Sequence, residues 1–139
     1  MKKVLIIIIV AIFCIGTSCK KDESYRTFER PTWQTSYDGY SVSMTCVMTL
    51  DKKIIGYVDS TDILAAFIGE ECRGIAEYTK DKFFLNIVGK PEENSLITFK
   101  YYSAKNKYLY QEENLHSFVA NDVLGVSDEP YILQLTLVQ

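Results

Sequence analysis

Four tyrosines, Tyr101, Tyr102, Tyr108 and Tyr110, are packed into one short stretch of this chain. On adjoining strands across a tight turn, some of these rings would line up as cross-strand neighbours. Exposed, such rings make a flat aromatic platform of the kind that stacks on a sugar ring; buried, they fill a core. Alternation sends Tyr101 and Tyr102 to opposite faces of a strand, so at most half of the set can serve one platform. Trp33 either joins that platform or marks where the N-terminal segment docks onto the domain.

Other residue types suggest less chemistry. Arg73 carries a planar fork suited to clamping a neighbouring carboxylate, and Asp62 is the first partner to expect. Asp59 and Asp62, joined in space by Asp38 or Glu70, would offer oxygen ligands to Ca²⁺, but EF-hand spacing is absent and a solvated acidic loop is the simpler reading. Cys46, Cys72 and the single His116 are too widely spaced for a zinc site, so neither metal nor other cofactor is expected. In an exported chain a Cys46–Cys72 disulfide is permitted; both residues sit among apolar strand residues, where a free thiol behaves as a small hydrophobe. No Ser or Cys has a nucleophile context, no carboxylate pair is marked, and His116 between Leu115 and Ser117 reads as a strand or loop residue. Enzyme activity is therefore not expected.

Several of these readings depend on where the chain resides. Lys2 and Lys3 precede an apolar run of 12 residues, 4–15, and Gly16-Thr17-Ser18 leads into Cys19. Crossing hydrocarbon takes about 20 residues, so the run is the core of a secretory signal. Small residues before Cys19 resemble the bacterial lipobox, although the usual Leu three places before the Cys is absent and Ile15 stands one place further back. The resemblance implies acylation of the Cys19 thiol and cleavage before it. Lys21, Asp22 and Glu23 resemble the export signal of Bacteroidota lipoproteins, which implies a lipid-anchored protein of the outer membrane facing the cell exterior. Residues 1–18 are then a signal peptide, 19–35 the acylated Cys and a tether, and 36–139 the domain.

Composition agrees with one small domain. Losing the leader removes two of the 15 basic side chains and none of the 18 acidic ones, which leaves 121 residues of net charge −5. A basic nucleic-acid footprint is absent. Ten Tyr, seven Phe and one Trp suit sheet cores above all.

The elements that must position these residues read as strands. Tyr40, Val42, Met44, Cys46, Met48 and Leu50 alternate with small or polar residues, the clearest period of two in the chain. Short strands are predicted over 54–58, 63–68, 72–79, 82–88, 96–102, 107–111, 117–119 and 131–138, with turns at Asp51-Lys52-Lys53, Gly69-Glu70-Glu71, Lys80-Asp81 and Ala104-Lys105-Asn106. The run 63–68 is apolar throughout and is predicted to be buried on both faces. Eight to nine short strands without a helix beyond the leader predict an all-β, immunoglobulin-like or jelly-roll-like sandwich.

The segment Asp62 to Ala76, with its "AAF" run and Gly69-Glu70-Glu71-Cys72-Arg73-Gly74, resembles a recurrent stretch of surface β-domains in Bacteroidota that carries a "GECRG"-type pattern. Phe83 to Gly89, Ile97 to Tyr102 and Gly125 to Leu133 continue the likeness. That family implies a modular sandwich and carries no settled activity. The location carries the functional expectation, and of two functions the first is expected, with the second as its alternative. The first is a non-catalytic accessory subunit of an outer-membrane uptake assembly, with a TonB-dependent transporter and its lipoprotein as partners. The second is a free-standing glycan-binding module.

Overall fold

The computed structural model describes residues 24–139; Cys19, Lys21, Asp22 and Glu23 lie outside the described residues. The chain folds as an all-β sandwich. Its strands are β1 (Val42–Thr49), β2 (Ile63–Ile68), β3 (Glu71–Ile75), β4 (Glu77–Thr79), β5 (Lys82–Gly89), β6 (Leu96–Ser103), β7 (Tyr108–Glu112), β8 (His116–Ser117), β9 (Val123–Leu124), β10 (Tyr131–Ile132) and β11 (Leu135–Leu137). One sheet runs β10-β1-β5-β4, with β9 also on β1; the other runs β11-β7-β6-β2-β3, with β8 on β6. Pairing is antiparallel except that β9 and β10 run parallel to β1.

The alternation in β1 does what its pattern predicts. Met44, Cys46 and Met48 point inward and meet Phe83, Leu85 and Ile87 of β5 and Leu64, Phe99 and Tyr101 of the facing sheet. Three predicted strands differ from expectation, 72–79 among them because it divides at Ala76. Over 54–58 the pattern predicts a strand, but Ile55–Tyr57 forms a single 3₁₀ turn. The Asp51 carbonyl accepts from both Ile54 N and Ile55 N, at 2.8 and 2.9 Å, which coils the segment before it can extend. Over 131–138 the pattern predicts one strand, but the residues are split between the sheets. Leu133 N still bonds Thr49 O at 3.0 Å, whereas Gln134 O already accepts from Glu113 N of the other sheet at 2.9 Å.

A matching switch occurs on the other flank, where Ala76 N bonds Leu64 O at 2.8 Å and the next residue, Glu77, pairs with Phe84. The chain thus crosses between the sheets on both flanks, a corner device that shortens exposed edges. At the first corner Gly74 packs on β5 so closely that a Cβ would overlap the Asn86 carbonyl.

The segment expected as a tether lies across the outer face of the β6–β2–β3 sheet. Phe28 N bonds Lys107 O at 2.8 Å, Tyr102 Oη donates to Phe28 O at 3.2 Å, and an Arg30 Nη donates to Thr61 O at 2.7 Å. Trp33 then meets Phe67 edge-on with ring centroids 5.1 Å apart. This strap, residues 24–36, is why β2 is buried on both faces: Leu64 and Ala66 enter the core, while Ala65 and Phe67 lie under Trp33.

Candidate functional site

At one end of the sandwich the core opens into a cleft of about 470 Å³. Its floor is Leu50, Tyr101, Tyr110 and Leu135, and its two walls are the 3₁₀ segment after β1 and the β6–β7 hairpin with Ser103, Lys105 and Asn106. Tyr57 stands on the mouth with 79% of its surface exposed, and Ile54 beside it is 46% exposed. The 3₁₀ turn that replaces the predicted strand is what brings Tyr57 to this position. Its exposure comes from a local backbone choice that periodicity does not reveal, so no signal in the sequence singled out Tyr57.

The tyrosine platform is only partly assembled. Register sets Tyr101 opposite Tyr110, Ser103 opposite Tyr108 and Tyr102 opposite Leu109, so Tyr102 faces away from the other three. Tyr101 and Tyr102 are buried, at 6% and 2% exposure, and belong to the packing rather than to an open surface. Tyr101 and Tyr110 line the cleft floor with ring centroids 6.1 Å apart. Tyr108 meets Tyr25 of the strap at 5.8 Å, and Trp33 is committed to Phe67.

The acids near the cleft act as acceptors. Tyr101 Oη donates to Asp62, whose other oxygen accepts from Ala104 N at 2.8 Å and ties the hairpin to the start of β2. Burial, reinforced by that carboxylate, drives the Tyr101 phenol well above its ordinary pKa, so it stays a neutral donor. Asp59 accepts from the hydroxyl and the amide of Thr61, at 2.6 and 2.8 Å, and these bonds hold its carboxyl below the usual range.

The expected Asp62–Arg73 clamp is corrected. Arg73 Nε meets Glu71 at 3.0 Å, its two Nη atoms meet Glu93 at 3.1 and 3.2 Å, and Nη1 also bonds Val88 O at 3.2 Å. The Tyr40 ring lies under the guanidinium at 3.9 Å, and its hydroxyl donates to Glu71 at 2.6 Å. The reason is register. Ala66 pairs with Gly74 but Phe67 with Cys72, so Arg73 is the extra residue of a bulge near the hairpin tip. Asp62 lies five residues back along the strand, about 17 Å away.

Cys46 and Cys72 are free, buried thiols. His116 sits on β8 between the edges of Phe99 and Tyr131. Among the described residues, no group of three His, Cys, Asp or Glu side chains converges as a cation site. No family model matches the chain, and no curated protein or solved structure is significantly similar to it.

Proposed function

We propose that this chain is a surface-exposed, lipid-anchored binding module that holds a sugar-type ligand in the Tyr57 cleft and does not transform it. The observation that carries this reading is the cleft itself. An exposed aromatic ring stands over an apolar floor, and Asp59, Ser103, Lys105 and Asn106 supply polar contacts at the edge. A pyranose has an apolar face for a ring and hydroxyls for a polar rim, and small-ligand sites share this mixture. The carboxylates nearest the floor already accept from Tyr101, Ala104 and Thr61, which suits them to hold the cleft's shape.

The test is a glycan array followed by titration calorimetry. The expected result is retention of a defined glycan and an affinity at least about ten-fold weaker in Tyr57→Ala, or about 1.4 kcal/mol. Because Tyr57 is so exposed, the variant should melt like the parent, within about 0.5 kcal/mol. Glycan binding that Tyr57→Ala leaves unchanged would overturn the reading.

The accessory-subunit reading draws on a different observation, the shallow groove beside Gly125 where Val126 and Ile132 are 52% and 48% exposed. A stoichiometric transporter recovered from native membranes in mild detergent, and lost on Ile132→Asp, would favour it instead.

A further inference from the structure

Three features of the molecule converge at the end that holds the cleft. The first is where the strap begins. Its earliest contacts, Tyr25 with Tyr108 and Phe28 with Lys107, lie beside the β6–β7 hairpin that forms one cleft wall. Arg30 is bonded to Thr61 at the same end, and Trp33 lies further along β2. The chain therefore enters the domain at the cleft end and runs away from it. From Cys19 to Ser24 is five residue steps, at most about 18 Å of chain.

The second feature is charge. The loops at the cleft end carry Lys52, Lys53, Lys80, Lys105 and Lys107, all exposed. Asp81 O accepts from Thr49 Oγ1 at 2.8 Å, which fixes the β4–β5 turn at this end. The acids at the same end each accept from a donor of the protein: Asp51 from Lys53 N, Asp59 from Thr61, Asp62 from Tyr101 and Asp81 from Tyr78. The opposite end presents exposed Asp38, Glu70 and Glu92 beside exposed Lys90. The third feature is the pair Tyr57 and Ile54, large and exposed on the mouth of the cleft, a combination suited to the boundary between water and lipid.

We infer that the cleft end faces the membrane that holds the chain, and that the ligand is the phosphorylated sugar headgroup of a glycolipid in that membrane. This rests on the proposed function and on acylation of Cys19. The sugar ring stacks on Tyr57, and its phosphates lie among the lysines, which bind phosphate as point charges. The short leash leaves the cleft within reach of the lipid surface and turns the acidic end away from it.

The experiment uses the full chain, purified from membranes with its lipid and placed in nanodiscs of three compositions: phosphatidylcholine, phosphatidylethanolamine with phosphatidylglycerol, and the latter with lipid A, a bis-phosphorylated glucosamine lipid. Lysines are acetylated briefly and read by mass spectrometry, with Lys90 at the far end as the reference. The expected result is several-fold protection of Lys105 and Lys107 relative to Lys90, greatest with lipid A, with the lipid A increment lost in Tyr57→Ala. Equal labelling at both ends in every disc overturns the inference. So does protection that is the same with and without lipid A, which would mean orientation without headgroup recognition. Absence of palmitate label on the wild-type chain removes the anchoring premise and overturns the inference too, while leaving the array test of the cleft standing. A Tyr57-dependent neutral glycan on the array, with no lipid A effect in the discs, keeps the proposed function and sinks this inference alone.

Discussion

Arg73 is the most heavily engaged polar side chain among the described residues, and its partners explain its tolerance of burial at 6% exposure. Burial works against its charge, but the pairs with Glu93 and Glu71 outweigh that and hold its pKa above the ordinary value. For Glu93 the balance is similar: burial raises its carboxyl, and the bonds from Arg73, Lys90 N and Ser95 more than reverse this. Glu71 is lowered first by the Tyr40 hydroxyl and then by Arg73. Carboxyls held below 4.5 when folded stabilise the protein fully above that pH. Their contribution is lost as pH falls through the folded values. Arg73→Met should cost about 3 kcal/mol at neutral pH, because Glu93 is left beside a buried site without its cation. Urea midpoints taken from pH 7 to pH 3 should then fall less steeply in the variant than in the parent. An identical acid slope would show that the clamp does not set it. Cys46 gives a second expectation at this scale. Burial pushes its thiol up to about 12, so it holds no thiolate at neutral pH. A maleimide should leave Cys46 unmodified in the native protein and label it only in denaturant.

At the scale of elements, the strap changes what the first part of the chain is for. Its charged, aperiodic residues read as a tether because nothing local orders them. The order comes from Trp33 on Phe67, from the backbone bond of Phe28 to Lys107 and from the Arg30 side chain on the Thr61 carbonyl, partners far away in sequence. Removing the ring with Trp33→Ala should cost about 2 kcal/mol, less than a fully buried Trp, and should speed amide exchange at Phe28. Unchanged exchange there would show that the hydrogen bonds hold the strap alone. The sheets were far easier to read. Alternation named the inward residues of β1, and Gly69, Lys80 and Asp81 carry the positive φ angles that their tight turns need. The two strand switches were not legible, since Ala76 and Leu133 look like ordinary strand residues. Nor was the Arg73 bulge, which depends on a one-residue mismatch between β2 and β3.

For the whole molecule, the candidate site was half visible. Tyr101 and Tyr110 were singled out by type and spacing and do line one cleft. Tyr102 and Trp33 were drawn into packing on the outer face instead, because the strap covers that face. The cleft's other half, Tyr57, belongs to a segment whose pattern suggested an extended strand.

The strap also has a mechanical consequence. A chain that enters at the cleft end and then runs along β2 is loaded in shear, along the strand direction, when the domain is held from its opposite end, rather than peeled from one end. The contacts of Phe28, Arg30 and Trp33 then resist together instead of failing one by one. Tension between the N-terminus and a contact at the far end of the sandwich would thus be absorbed before it reached the core. Drawn in a force spectrometer between its N-terminus and a handle on the far-end β2–β3 turn at Glu70, the domain should yield in a single high-force event, and Trp33→Ala should lower that force. A staircase of small, early ruptures in the parent would mean that the strap simply unzips.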